Sequence, residues 1–112
     1  MSPKRKPLPR KTSSPAERQW ARLICLCGTC GKCGTKGRVH AHHIIPRRFG
    51  RFRTDARNGI ALCFTCHVGG PESAHNAPLA FRKWLWNTLP GTMAELHAEC
   101  PEAKLRKGIH GD

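Results

Sequence analysis

Two Cys-x2-Cys pairs constrain this chain more than any other feature. Cys30-x2-Cys33 and Cys63-x2-Cys66 stand 29 residues apart. A tetrahedral zinc takes four thiolates from two such knuckles. The pattern predicts one staple joining distant parts of the chain, built from Cys30, Cys33, Cys63 and Cys66. The intervening loop is longer than that of an ordinary zinc ribbon, so it is expected to be a working motif itself. In and just after it lie His42-His43, Asn58 and His67. The cysteines point to structural Zn2+, and the histidines they hold together point to a second, catalytic divalent ion.

The register has alternatives. Cys27-x2-Cys30 also satisfies the spacing, and a Cys3His site could use His67 in place of Cys66. Cys25 reads as a small buried side chain beside the first helix, and Cys100 as structural or incidental. A staple is needed because the apolar supply is thin. In 112 residues 38% are hydrophobic, there is no Tyr, and Gly and Pro number 11 and 9. That is one domain with tails, too small to rely on its core alone.

A net charge of +13, from 20 Lys+Arg against 7 Asp+Glu, points to a nucleic-acid partner. No stretch approaches the roughly 18 apolar residues of a membrane span. The first residues, MSPKRKPLPRKTSS, hold no apolar signal segment. The seven cysteines are therefore expected to be reduced, in a cytoplasmic protein.

Residues 1–13 are expected to be a disordered basic tail, with Lys4, Arg5, Lys6, Arg10 and Lys11 among prolines. A helix is predicted from Ser14 to about Leu26, with capping-box residues Ser14 and Glu17 and an apolar face of Trp20, Leu23 and Ile24. Strands are predicted over 38–45 and 60–62, and a helix from Cys63 or Phe64 that carries Cys66 and His67. A longer helix opens at Asn76 or Ala77 and runs to about Leu89, with Trp86 off its apolar face. Thr92 and Glu95 predict a capping box for a last short helix, interrupted by Pro101 and frayed from Lys107. The main domain thus spans 14–100, and 101–112 forms its end. Between the strands, Arg47, Arg48, Arg51, Arg53 and Arg57 read as an exposed loop that grips phosphates, with Arg48 closest to a reacting phosphoryl group.

The segment AHHIIPRRFGRFRTDARNGIALCFTCH resembles the HNH endonucleases, with the Cys pairs where zinc-containing members carry them. The resemblance covers about residues 30–76, and AHNAPLAFRKWLW resembles the tail of small phage-type members. It implies an α+β fold with a ββα-metal core, a zinc knuckle and flanking helices. It implies His42 and His67 as ligands of the catalytic ion, His43 as general base, and Asn58 as the brace of the loop. Some members add a histidine one turn after the last ligand. That position here is Pro71, and His75 either replaces it after Gly-Gly-Pro-Glu or is an ordinary loop residue.

The implied activity is metal-dependent hydrolysis of DNA to 5′-phosphate and 3′-hydroxyl ends, with Mg2+, Mn2+, Ni2+ or Zn2+ as the ion. A monomer would nick one strand, and double-strand cutting would need a dimer or repeated events. The resemblance also implies a phage or mobile element in a bacterial host. Rival expectations are a zinc module that only binds nucleic acid, and a nuclease selective for branched DNA. The adjacent histidines carry a geometric tension: neighbours on a strand point to opposite faces. Both can reach one site only if the strand bends or ends there.

Overall fold

The computed structural model describes residues 13–106. The readings for 1–12 and 107–112 lie outside these residues. Five elements carry the fold: helix α1 (Pro15–Ile24), strand β1 (His40–His43), strand β2 (Gly59–Leu62), and helices α2 (Pro78–Thr88) and α3 (Pro90–Glu99). The strands form an antiparallel pair with His40 opposite Leu62 and His43 opposite Gly59. α1 packs on this pair, and α2 and α3 pack on each other. The result is a small α+β fold. Among the described residues no helix is long and apolar enough to cross a membrane.

The Ser14 hydroxyl caps α1 by accepting the Glu17 amide at 3.0 Å, and Pro15 occupies the first turn. The expected reciprocal half of the capping box does not form, because the Glu17 side chain turns inward to an arginine. α1 ends at Ile24, two residues early, and Leu23 is 59% exposed. Trp20 and Ile24 meet the sheet over Gly59. A Cβ there would come within 2.7 Å of both side chains, so glycine sets the approach of helix to sheet.

β1 is shorter than expected. Ile44 and Ile45 leave the ladder and enter the core. The buried Asn58 side chain takes the place of a partner strand there. Its Oδ1 accepts the Ile45 amide, and its Nδ2 donates to the carbonyls of Ile45 (3.1 Å) and Phe52 (3.0 Å). The predicted helix after β2 is a single wide turn, Thr65–Gly69, closed by the Gly70 amide on the Thr65 carbonyl.

The core joins Ile44, Ile45 and Leu62 to Phe81, Leu85, Met93 and Leu96 of the last two helices. α3 opens at Pro90 rather than at Thr92, since α2 passes into it through Leu89 alone and no side chain caps it. Cys100 and Leu105 are buried, so the core continues beyond residue 100. Trp86 is partly buried, and its indole N–H donates to the Leu105 carbonyl at 2.7 Å. Pro101–Ala103 is one 3-10 turn.

Candidate active site and metal centre

Four sulfurs converge where β2 ends. The sulfurs of Cys30, Cys33, Cys63 and Cys66 lie within 4.8 Å of one another, and none of the described cysteines forms a disulfide. Cys27 is exposed and lies outside this group, and the partly buried His67 also lies outside it. The first knuckle is a tight turn held by Gly34 N–H on the Cys30 carbonyl at 3.0 Å and Cys30 N–H on the Thr35 carbonyl at 2.8 Å. It docks on β2 through the Gly31 amide, 2.7 Å from the Ala61 carbonyl. A Cβ at Gly31 would sit 2.9 Å from Ile60, so this approach again needs glycine.

The donor set fits zinc. With Zn–S bonds of about 2.3 Å, tetrahedral geometry puts sulfurs about 3.8 Å apart. Cys33 and Cys63 sulfurs are 3.7 Å apart. Burial would raise the Cys30 thiol, but amide donors including Cys33 and Lys32 outweigh it and bring the group down to about 6. Burial, then the neighbouring sulfurs, pushes Cys66 up to about 12. Crowded thiols that resist sharing negative charge are what a dication would relieve.

A second cluster lies on one face of β1. The donor nitrogens of His42, His67 and His75 lie within 4.8 Å of one another. His67 comes from the wide turn. The chain then reverses at Gly69-Gly70-Pro71, so that the Ala74 amide meets the Cys66 carbonyl (2.9 Å) and the His75 amide meets the His67 carbonyl (3.1 Å). Asn76 pins this reversal through Nδ2, on the carbonyls of Val68 (2.9 Å) and Gly70 (2.8 Å). His75 Nε2 ends 3.1 Å from His67 Nε2. Two imidazoles on one ion at about 2.1 Å would have nitrogens about 3.0–3.4 Å apart, and imidazole suits Zn, Ni, Fe and Cu. Burial first, then His67 and His75, pushes His42 down to about 3. Burial first, then His75 and His40, lowers His67. Both are neutral donors near pH 7.

His43 points the other way, toward α1. Trp20 stacks on its ring at 4.0 Å and 10°. Its Nε2 donates to the Arg53 carbonyl at 2.9 Å, which leaves Nδ1 as the nitrogen able to take a proton. Burial first lowers its pKa, opposed by the Arg53 bond and by Glu17. The ladder ends at this residue, and His42 and His43 line one cleft of about 510 Å³ with His67 and His75. The two neighbouring histidines thus meet different partners, His42 the histidine cluster and His43 Trp20 and the Arg53 carbonyl. The Asn58 side chain makes its hydrogen bonds to Ile45 and Phe52, not to His43. Phe52 is the residue just before Arg53, whose carbonyl meets His43.

Three nearby residues escaped the sequence reading. Glu17 is buried, 3.6 Å from His43 Nε2, and is forked by Arg47 at 2.6 and 2.7 Å. That hydrogen bond lowers its pKa against burial. Trp20 was legible as a core residue but not as the wall behind a histidine. His40 was legible only through its i, i+2 spacing from His42, which puts both on one strand face.

The five arginines are mostly engaged. Arg47 holds Glu17, and Arg57 holds Asp55, Glu95 and Glu99. Arg51 donates to the Glu99 carbonyl at 2.8 Å and Arg53 to the Arg47 carbonyl at 2.9 Å. Arg48 is exposed and lies 4.7 Å over the Phe49 ring, with no acidic partner among the described residues.

Residues 27–69 match the family model of the HNH endonucleases. The match holds both cysteine pairs, both strands, His42, His43, Asn58 and His67. α1, with Glu17 and Trp20, and His75 lie outside it. HNH proteins are in general nucleases, so the match points to nuclease activity acting on nucleic acid. No curated protein and no solved structure matches the chain.

Proposed function

We propose that the protein is a metal-dependent DNA endonuclease in which β1, β2 and the 65–69 turn form a ββα-metal core. The observation that carries this is the convergence of three imidazole donors, His42, His67 and His75, in a cleft shared with His43. Cys30, Cys33, Cys63 and Cys66 hold structural Zn2+ and stabilise a small core.

His42, His67 and His75 hold the catalytic ion. When bound, a divalent ion there neutralises charge on the phosphoryl oxygens and stabilises the leaving 3′ oxygen. His43 Nδ1 accepts a proton from the attacking water, while Nε2–H stays on the Arg53 carbonyl and keeps the ring in that tautomer. Trp20 blocks one face of the ring. Glu17, near Nε2, favours the imidazolium as the proton arrives. Asn58 braces the loop that carries the Arg53 carbonyl. Attack in line with the 3′ oxygen leaves a 5′-phosphate and a 3′-hydroxyl. Arg48 contacts the DNA backbone, and the other loop arginines hold the loop's shape.

The test is supercoiled plasmid incubated with zinc-loaded protein, with and without Mg2+, Mn2+ or Ni2+. The reading expects nicks only with added ion, and nicks that DNA ligase seals, since it requires 5′-phosphate and 3′-hydroxyl ends. DNA binding with no cutting in any ion would favour a non-catalytic zinc module.

A further inference from the structure

His40 stands on the same face of β1 as His42, opposite Leu62 and so one residue from the sulfur ligand Cys63. Its Nδ1 lies 3.3 Å from His67 Nδ1, with both side chains partly buried. The other nitrogen of His67, Nε2, faces His75 Nε2 at 3.1 Å and points into the three-histidine cluster. A neutral imidazole carries one proton. If Nε2 gives its lone pair to a cation, the proton must sit on Nδ1 and needs an acceptor. Among the described residues the only hydrogen-bond partner of that nitrogen is His40.

We propose that His40 is a positioning residue for the metal site: its Nδ1 accepts the Nδ1–H of His67 and so fixes the tautomer and ring orientation that present His67 Nε2 to the divalent ion. The proposal rests on the reading of His42, His67 and His75 as metal ligands. Ligating histidines commonly donate their second N–H to a carboxylate or carbonyl, and loss of that partner costs about 10–100-fold in metal affinity. Here a histidine takes this part. Its ladder position beside Leu62 also ties the imidazole cluster to the end of the strand that bears the sulfurs.

The experiment is a Mn2+ titration of the zinc-loaded full chain, followed by the signal of free Mn2+, on wild type, His40→Leu, His40→Asn and His67→Ala. Asn places an amide oxygen where His40 Nδ1 stood, whereas Leu offers no acceptor. Expected is a Mn2+ affinity about 10–100-fold weaker in His40→Leu and near wild type in His40→Asn. Zinc content and melting temperature should stay unchanged, and cutting by His40→Leu should recover at high Mn2+. Wild-type affinity in His40→Leu overturns the proposal, as does equal weakening in both His40 variants. A wild type with no Mn2+ site that His67→Ala abolishes instead sinks the metal-site reading itself. Nitrogen NMR of the wild type with saturating Mg2+ gives a test free of mutants. His67 should carry its proton on Nδ1 and His40 on Nε2, and the opposite pattern overturns the proposal.

Discussion

Asn58→Ala is the sharpest test of how the loop supports the site. Asn58 is fully buried and makes three hydrogen bonds, to the Ile45 amide, the Ile45 carbonyl and the Phe52 carbonyl. Alanine fills none of these roles. Each buried backbone group left without a partner costs about 1–3 kcal/mol. The Phe52 carbonyl keeps the Asp55 amide at 3.2 Å, so the Ile45 amide and carbonyl are the two groups left bare. They sum to about 2–6 kcal/mol, and water entering the space would hold the loss toward the lower end. Domains of this size are stable by about 5–15 kcal/mol, so the variant should lose at least about 2 kcal/mol. The assay is urea unfolding of the zinc-loaded protein followed by tryptophan fluorescence, with Trp20 packed close to the loop through the Asp55 carbonyl at 3.0 Å. Asn58→Asp should be similarly damaged, because it keeps the acceptor but sets a carboxylate against two carbonyls. A loss below about 1 kcal/mol in Asn58→Ala, less than one orphaned group, would refute the reasoning.

Removing zinc with a strong chelator should abolish the cooperative thermal transition, and Cys66→Ser should do the same at ordinary zinc levels; calorimetry with and without zinc checks both. Arg48→Ala should weaken DNA binding and lower its salt slope by about one with an unchanged melting temperature. Arg47→Ala should lower the melting temperature, because it strands the buried Glu17, and a fluorescence-anisotropy salt series beside a thermal melt separates the two. Without added divalent ion, stability should fall as pH drops below about 6.5. His42 stays neutral when folded down to about 3, chiefly through burial, so the unfolded chain binds its proton first. Below the ordinary glutamate range the Glu17–Arg47 pair adds a loss of the same sign, since its carboxyl is held low by Arg47. Urea midpoints from pH 8 to pH 4 measure this, and a flat profile contradicts it. Trp20→Phe should keep a ring on His43 but lose the bond to the Asp55 carbonyl, at a cost of about 1 kcal/mol, read by the same unfolding assay.

The site was legible where spacing in the chain becomes spacing in space. Cys-x2-Cys knuckles are local turns, so the two knuckles could be read from the sequence. Spacing left Cys27 as a rival to Cys33 and His67 to Cys66, and it is the fold that groups Cys30, Cys33, Cys63 and Cys66. The α+β class was likewise readable from β-branched runs between amphipathic helices. What escaped reading depends on long-range contact. Glu17 has the look of a capping residue, and only the approach of Arg47, 30 positions away, turns it inward. The arginine-rich loop read as uniformly exposed because composition cannot show that Glu95 and Glu99 of α3 wait for Arg57. β1 read as too long because Ile44 and Ile45 suit a strand. A side chain, Asn58, claims the Ile45 backbone instead. His75 was readable as a question, and the reversal at Gly69-Gly70-Pro71 is what brings it beside His67.

The central claim is that His43, held by the Arg53 carbonyl and Trp20, performs the proton transfer of a nuclease. The most direct measurement is the nicking rate of wild type and His43→Ala, purified in parallel and matched in zinc content and melting temperature. The account predicts a loss of at least about 100-fold in His43→Ala, the lower range for removal of a general base, with DNA binding retained. Cutting by the pure variant at a rate near wild type would contradict it.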